Sequence, residues 1–316
     1  HDGLVTNNPG LVITGSLSEQ ATLTLNGEAV SLDGSYAFSK SVTLAQGTNQ
    51  FSFTATDPAG NISSVIITVV LDTVAPVIAI AFPAEGFTTN IPTQTITGSL
   101  SKQAALTMNG EAVPVDESLA FSKPVVLTEG QNVFNFNATD SAGTTSSFVL
   151  HVVLDTVAPV ITIAAPLEGL LTNVSSQTIT GSLGKQAVLT INGETVPVAG
   201  DLSFSKDVIL TEGLNEFLLS ALDTAGNSTS SILHINLDTV APVITISFPQ
   251  ESFLTNNAEL TITGSVSKPA TVAVNGEAVI LDETFAFQKA VYLVEGANEF
   301  SFSAVDAAGN SASLAL

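Results

Sequence analysis

Alternating apolar and polar residues recur along the whole chain and predict short β-strands. In the stretch 132–139, Phe134, Phe136 and Ala138 alternate with polar neighbours, so one face of this strand is expected to be buried and the other solvated. Clusters of Gly, Asn, Asp and Pro separate such runs every ~8–12 residues, which is typical of an antiparallel all-β domain. Between Val77 and Leu154 the pattern predicts seven strands, over 77–82, 95–100, 105–108, 112–115, 119–127, 132–139 and 145–154.

The strand pattern repeats at a fixed interval. The Asn-Gly pair recurs at Asn26, Asn109, Asn192 and Asn275, each 83 residues after the last. The same step links the phrase T-G-S at Gly15, Gly98, Gly181 and Gly264, and the phrase D-x-A-G at Asp57, Asp140, Asp223 and Asp306. A period of this length predicts four small domains in tandem, called repeats 1 to 4, over residues 1–72, 73–155, 156–238 and 239–316.

The two ends of the chain fall inside a repeat. By register His1 matches Ala84, so repeat 1 is expected to lack its first strand, and the last strand of repeat 4 stops short at Leu316. Two explanations are open: the sequence is a window from a longer array, or a strand from another molecule fills the open sheet position and joins subunits into a filament.

Two short motifs predict tight turns. Asn109-Gly110 suits a two-residue hairpin between the third and fourth strands, because both positions tolerate positive φ. The phrase D-x-A-G-N, as at Asp223 to Asn227, predicts the hairpin between the last two strands, with the Asp side chain accepting bonds from turn amides.

Charge is sparse and strongly negative. The chain has 29 acidic residues against 7 basic ones, all Lys, and a formal net charge of −22. This balance argues against nucleic acid or anionic lipid as a partner and favours the binding of cations. Cysteine is absent, which excludes disulfides and thiolate metal sites. No apolar run approaches the ~18 residues of a membrane span, so no membrane insertion is expected within this segment.

A family resemblance follows from the repeated phrases. The frame L-D-T-V-A-P-V-I-T-I, then E-G-x-x-T-N, T-I-T-G-S, V-N-G-E-x-V, E-G-x-N and D-x-A-G-N resembles the tandem immunoglobulin-like domains of bacterial surface and secreted proteins, such as large adhesins and accessory modules of polysaccharide-degrading enzymes. The resemblance implies seven-stranded immunoglobulin-like β-sandwiches, an extracellular or cell-surface location in a bacterium, and a role as spacer, stalk or binding module.

The linkers between repeats are short and contain proline. They cover residues 71–76, 154–159 and 237–242, and their Pro fixes φ and holds the preceding Ala extended. Neighbouring repeats are therefore not expected to tumble freely. Four domains of roughly 40 Å each predict an extended rod of about 160 Å, estimated from strand rise.

Acidic side chains are expected to converge at these linkers. Alternation of strand direction places the linker Asp near the Asp of the last hairpin, and several carboxylates repel one another unless a cation lies between them. Calcium takes six to eight oxygen ligands, so it is the predicted ion. The candidate ligands are Asp72, Asp140, Asp155, Asp223, Asp238, Asp306, Glu85 and Glu168, with Asp201, Glu111 and Glu129 expected near the junction of repeats 2 and 3.

A structural explanation of these acidic residues is also open. Asp in a linker or a hairpin can cap backbone amides, and acidic loop tips keep a surface soluble. Binding of calcium between domains is implied by the resemblance to adhesin arrays and does not follow from the spacing.

The sequence offers poor material for catalysis. Arg, Cys and Trp are absent, and the three His include His151 and His234, which are equivalent by register but are replaced by Thr68 in repeat 1. Nucleophile-elbow, zinc-protease and phosphate-loop motifs are also absent. The chain is therefore predicted not to be an enzyme.

The sequence thus predicts an extracellular stalk or fibre that presents an adhesive or other tip away from a bacterial cell. Its partners would be neighbouring repeats of the same chain. One alternative is a self-assembling filament subunit that binds further copies of itself. Another is a carbohydrate-binding accessory module, which the lack of Trp and the presence of only two Tyr, Tyr36 and Tyr292, disfavour.

Overall fold

Every regular element of the protein is a β-strand. The computed structural model describes residues 1–316, which divide into two compact units, His1–Thr156 and Val157–Leu316. The predicted all-β class is therefore confirmed, and each unit contains two of the predicted repeats. The structure contains no helix with the length and apolar character needed to cross a membrane.

In the first unit, repeat 1 has seven strands. They are β1 (Leu4–Thr6), β2 (Gly10–Ser16), β3 (Thr22–Leu25), β4 (Glu28–Val30), β5 (Ala37–Thr43), β6 (Gly47–Thr56) and β7 (Ile62–Leu71). One sheet has the order β1-β7-β6-β3-β4, and the other contains only β2 and β5. Neither sheet contains a counterpart of the strand Ile78–Phe82 that opens repeat 2.

Repeat 2 follows in the same unit and has eight strands. They are β8 (Ile78–Phe82), β9 (Phe87–Thr89), β10 (Thr93–Leu100), β11 (Ala105–Met108), β12 (Glu111–Val113), β13 (Ala120–Val126), β14 (Gly130–Thr139) and β15 (Thr145–Leu154). Its sheets have the orders β13-β10-β8 and β12-β11-β14-β15-β9.

The second unit also has two sheets in each repeat, but repeat 4 has no counterpart of the short strand β9. Its strands are β16 (Ile161–Ala165), β17 (Leu170–Thr172), β18 (Ser176–Leu183), β19 (Val188–Ile191), β20 (Glu194–Val196), β21 (Ser203–Ile209), β22 (Gly213–Leu222), β23 (Ser228–Leu237), β24 (Ile244–Phe248), β25 (Glu259–Val266), β26 (Thr271–Val274), β27 (Glu277–Val279), β28 (Ala286–Tyr292), β29 (Ser301–Val305) and β30 (Ser311–Ala315). In repeat 3 the sheets run β16-β18-β21 and β17-β23-β22-β19-β20, and in repeat 4 β24-β25-β28 and β27-β26-β29-β30.

The short strand β9 was not predicted. The chain leaves the three-stranded sheet after β8, passes the cis bond between Phe82 and Pro83, and pairs in parallel with β15 of the other sheet. A strand of three residues is too short to show an alternating pattern, and its partner lies far away in sequence. Gly86, directly before this strand, has a positive φ of 73°, so the chain turns as it enters the strand. The seven predicted strands of repeat 2 are all present beside it.

Each repeat has its own hydrophobic core between its two sheets. In repeat 2, Ile96 of β10 and Phe121 of β13 pack with Phe136 of β14 and Leu150 of β15. Equivalent buried clusters fill repeats 1, 3 and 4. The alternation at Phe134, Phe136 and Ala138 is confirmed, since all three side chains are buried.

Both predicted turns are present. Asn109 and Gly110 have φ values of 50° and 85° and join β11 to β12, where Met108 lies opposite Glu111. The Asn109 side chain also accepts a hydrogen bond from the backbone N–H of Asn135 at 2.8 Å, which ties the hairpin to β14. The same bond occurs in the other three repeats, so the recurring Asn-Gly pair is explained by structure.

Candidate functional site

The linker aspartates are fixed to the repeat that they leave. Asp72 follows β7, and its backbone N–H donates to the carbonyl oxygen of Thr6 at 2.9 Å. Its Oδ1 accepts a bond from the N–H of Val74 at 3.1 Å. Asp238 makes the same two bonds, to Thr172 and from Val240. The linker therefore starts in a defined direction in both units.

The hairpin aspartates shape the turn between the last two strands. Oδ1 of Asp140 accepts bonds from the backbone N–H groups of Ala142 at 3.0 Å and Thr144 at 2.9 Å. Its side chain is only 3% exposed. Asp223 and Asp306 cap their own hairpins in the same way. The capping explanation is thus correct for one oxygen of each hairpin aspartate, which leaves the other oxygen for a further partner.

A lysine ammonium occupies the position between the two aspartates. In the first unit, Nζ of Lys102 lies 2.7 Å from Oδ2 of Asp72. It also contacts Oδ2 of Asp140 and donates to the carbonyl oxygen of Val74. Lys102 belongs to repeat 2, whereas Asp72 and Val74 belong to the end of repeat 1 and the linker. The lysine therefore connects the linker to the hairpin of the next repeat.

The same arrangement occurs in the second unit. Nζ of Lys268 lies 2.7 Å from Oδ2 of Asp238 and 2.7 Å from Oδ2 of Asp306, and it donates to the carbonyl oxygen of Val240. In repeat 3, Lys185 pairs with Asp223 at 2.7 Å and donates to the carbonyl oxygen of Val157. We call the sets Asp72–Lys102–Asp140 and Asp238–Lys268–Asp306 the lysine clamps.

The clamp keeps both partners charged. Hydrogen bonds from Lys102 and Thr144 hold the pKa of Asp140 far below its usual value. Burial alone would lower the pKa of Lys102, but the hydrogen bonds and charges of Asp140 and Asp72 outweigh it and raise that pKa. Hydrogen bonds to Asp238 and Asp306 likewise raise the pKa of Lys268.

Further polar contacts surround each clamp. Thr144 Oγ1 donates to the carbonyl oxygen of Val74 at 3.3 Å, and in the second unit Asn310 Nδ2 donates to the carbonyl oxygen of Asp238 at 2.6 Å. From the other side, the side chain of Gln46 accepts bonds from the backbone N–H and the hydroxyl of Thr73. Side chains of both repeats therefore hold the linker in unit one.

The predicted ligands Glu85 and Glu168 are held by histidines of their own repeat. Glu85 accepts a bond from the backbone N–H of His151 at 2.9 Å, and its other oxygen lies 2.7 Å from Nδ1 of that residue. Glu168 and His234 make the same pair, at 3.0 and 2.6 Å. Each glutamate precedes a short strand, β9 or β17, and each histidine lies within the parallel partner of that strand, β15 or β23. The pairs therefore fasten the turn before the short strand to its partner.

The remaining predicted acidic residues also have partners. Asp201 accepts bonds from the backbone N–H and hydroxyl of Ser203, and Glu111 lies 3.3 Å from Nζ of Lys123. Glu129 accepts bonds from Thr156. The backbone N–H of Asp155 donates to Thr89, as Asp72 does to Thr6. Each is thus used in local structure.

The donor set at the clamps does not fit calcium as a resident ion. The two aspartates and a backbone carbonyl are chemically suitable ligands, but calcium takes six to eight oxygens. In the described chain, no three His, Cys, Asp or Glu side chains lie close enough together to hold a metal ion. The carboxylate oxygens that face the gap already accept bonds from lysine. Binding of calcium to this protein stays a prediction.

The sequence reasoning missed Lys102, Lys185 and Lys268. A signal was present, because these residues are spaced 83 apart and stand four positions after the Gly of T-G-S. In repeat 1 the equivalent position holds Glu19 in place of lysine, so lysine is not common to all four repeats.

With two sheets packed around one core in each repeat, and with structured linkers inside each unit, the chain is a tandem array of immunoglobulin-like β-sandwiches. The sequence profile of glucodextranase, domain B, matches it four times, over residues 1–73, 76–156, 159–239 and 242–316. The chain belongs to this family.

Relatives with known names are much longer than this chain. Bacillopeptidase F of Bacillus subtilis (strain 168) is 30% identical over 196 residues, which are 59% of this chain and 14% of that protein. The PI-type proteinase of Lactococcus lactis subsp. cremoris is 25% identical over 301 residues, which are 84% of this chain and 16% of the proteinase. The chain therefore corresponds to a small share of each relative.

A solved structure agrees with the fold. An I-band fragment of titin superposes with a TM-score of 0.50 at 11% sequence identity, and the match covers 77% of this chain and 98% of that fragment. At this identity the likeness concerns the fold alone.

We expect the clamp to stabilise the protein only where both partners are charged. The lowered pKa of Asp140 means that its contribution is complete above the unfolded pKa of about 3.9 and is lost as the pH falls through the folded value. The raised pKa of Lys102 means that its contribution is complete below about 10.4 and is lost as the pH rises through the folded value.

The measurement is the difference in Tm between the wild-type chain and Asp140→Asn, taken by circular dichroism across pH. Asn keeps the turn-capping oxygen and removes the charge. The difference should be largest near neutral pH and should shrink steadily as the pH falls below about 3.9, where the unfolded chain takes up a proton that folded Asp140 does not. A difference that does not change with pH would contradict the ionic role of Asp140.

Proposed function

We propose that this chain is a non-catalytic extracellular stalk of immunoglobulin-like repeats, which holds another part of a longer protein at a set distance. The observation that carries the proposal is the anchored linker. In each unit the linker Asp, the linker carbonyl and the hairpin of the next repeat share one lysine, so that a short Pro-containing connection is also bonded on its polar side. Such bonding restricts bending at the linker, and a stalk that sets a distance must resist this bending.

The comparisons support an accessory role. The named relatives are proteinases of which this chain matches 14% and 16%, and the family is described as a domain of glucodextranase. Immunoglobulin-like sandwiches serve many proteins as non-catalytic modules, and fold alone does not assign an activity. We infer that the chain supplies spacing beside the functional part of a larger bacterial protein.

The surface charge is compatible with an extracellular or cell-surface location, exposed to solvent. A net charge of −22 keeps neighbouring stalks apart and resists association with anionic lipid. The proposed partners are the neighbouring repeats of the same chain, with no nucleic acid and no inserted membrane segment.

Small-angle scattering on the chain, at several protein concentrations, tests the proposal. The expected result is a maximum dimension of about 160 Å, estimated from strand rise and independent of concentration. A control variant replaces residues 73–76 by a flexible Gly/Ser segment of the same length and should have a smaller average dimension.

Other outcomes would support other functions. A compact particle, with a maximum dimension well below this value, would contradict the stalk function. Growth of the particle with concentration would favour the filament subunit. Repeatable binding in a glycan screen would favour the carbohydrate-binding module.

A further inference from the structure

We propose that lysine is the resident cation of these linkers, and that Lys102 and Lys268 lock adjacent repeats without any requirement for calcium. This inference rests on the proposed stalk function and identifies the group that holds adjacent repeats of the stalk in place. It also explains why a chain with so many carboxylates can bring two of them together at each of the two clamps.

The ammonium group matches its surroundings in number. A lysine ammonium has three N–H donors and no acceptor. Lys102 faces three acceptors: one oxygen of Asp72, one of Asp140 and the carbonyl of Val74. Every donor therefore has a partner, as expected for a group of which only 26% of the side chain is exposed.

The charges explain why a metal ion is not needed. Two carboxylates bring a charge of −2, and the ammonium between them reduces it to −1 while separating the like charges. A divalent ion at the same place would have to displace Nζ of Lys102 from both aspartates, or bind beside a positive charge. Either step opposes cation binding while the lysine is present.

Repeat 1 separates the role of the lysine from that of the hairpin. Asp57 accepts bonds from the backbone N–H groups of Ala59 at 2.9 Å and Asn61 at 2.8 Å, although Glu19 stands at the lysine position. The hairpin thus forms without a lysine. In the two clamps the lysine is the group that contacts both the linker aspartate and the hairpin aspartate.

Lys123, which lies in β13, differs from the lysines of the clamps. Lys123 pairs with Glu111 on the surface of repeat 2 at 3.3 Å, and the Glu111 side chain is 76% exposed. Pairs with such exposure contribute little because water screens them. Lys123 therefore offers a matched control, with the same loss of charge in the same repeat and no contact to a linker.

The test measures the hinge of the first linker directly. The chain has no cysteine, so Ser63→Cys in repeat 1 and Asn137→Cys in repeat 2 give two unique sites, both exposed, for spin labels. Pulsed electron–electron double resonance then reports the distribution of distances between the labels. It is recorded for the full chain with calcium chloride and with excess EDTA.

We expect one narrow distribution in both buffers for the labelled wild-type chain. Lys102→Met should lose the narrow distribution, because two facing carboxylates are left without a counter-charge. Lys123→Met should keep it. Hydrogen exchange of the β14 core, measured on the same variants, establishes that repeat 2 is still folded when the linker loosens.

Two results would overturn the inference. One is a narrow distribution that broadens in EDTA with Lys102 present, which would assign the lock to calcium. The other is an unchanged distribution in folded Lys102→Met, which would assign it to the Pro-containing linker alone. Both differ from failure of the stalk function, which would appear as a compact wild-type chain in scattering.

Discussion

Truncation of Phe136 to alanine is expected to destabilise repeat 2 by about 3–5 kcal/mol, the range for a fully buried aromatic side chain. Phe136 is 0% exposed, and its ring centroid lies 5.8 Å from that of Phe121 on the facing sheet. The deletion removes buried apolar surface and leaves a cavity between the sheets. Because each repeat has its own core, the loss should stay in repeat 2.

Hydrogen exchange with peptide-resolved mass spectrometry measures this effect in the full chain. Protection of β11, β14 and β15 should fall, while β26 and β29 of repeat 4 serve as an internal reference. Val133→Ala on the same strand is the matched control: Val133 is 43% exposed, and its loss should stay within ~0.5 kcal/mol. Equal losses in the two variants would contradict the assignment of Phe136 to the core.

Substitution of Gly98 by alanine is expected to cost about 1–3 kcal/mol, the usual range for overpacking. A Cβ at this position would meet the carbonyl oxygen of Ala79 at 2.4 Å and the ring of Phe121 at 2.5 Å. The register between β8 and β10 shifts at this residue, so the first strand passes close to the glycine. A backbone carbonyl held in a sheet cannot move aside as a side chain can.

Repeat 1 supplies the control for the glycine. Gly15 is its equivalent, but there a Cβ would meet only the ring of Phe38, at 2.7 Å, with no backbone atom in the way. Gly15→Ala should therefore cost less than Gly98→Ala, as measured by exchange protection of β2 and β5 against that of β8, β10 and β13. A larger cost at Gly15 would mean that the close approach of the first strand is not the reason for the T-G-S motif.

Much of each repeat could be predicted because its signals are local. Alternation in β14, the Asn109-Gly110 turn and the Asp140 hairpin each depend on residues a few positions apart, and all are present in the structure. The strand β9 could not be predicted from local signals, since three residues carry no periodicity and its partner β15 is distant in sequence.

The sequence indicated the aspartates of the candidate site but not the lysine that lies between them. Spacing and strand direction placed Asp72 near Asp140, and the structure brings both to Nζ of Lys102. Glu85 was expected at a junction, whereas it pairs with His151 within repeat 2. Residue type alone could not distinguish a carboxylate that faces a linker from one that faces a neighbouring strand.

The sequence by itself determined the period, the all-β class, the core positions and the turns, because hydrophobic alternation and turn chemistry act over a few residues. Only the tertiary structure decided what neutralises the linker aspartates. Lys102 is 30 residues from Asp72 and 38 from Asp140 along the chain, and the three meet because β10, the linker and the β14–β15 hairpin end at the same side of the fold. Contacts of that kind depend on how strands are arranged in space, which a one-dimensional pattern does not contain.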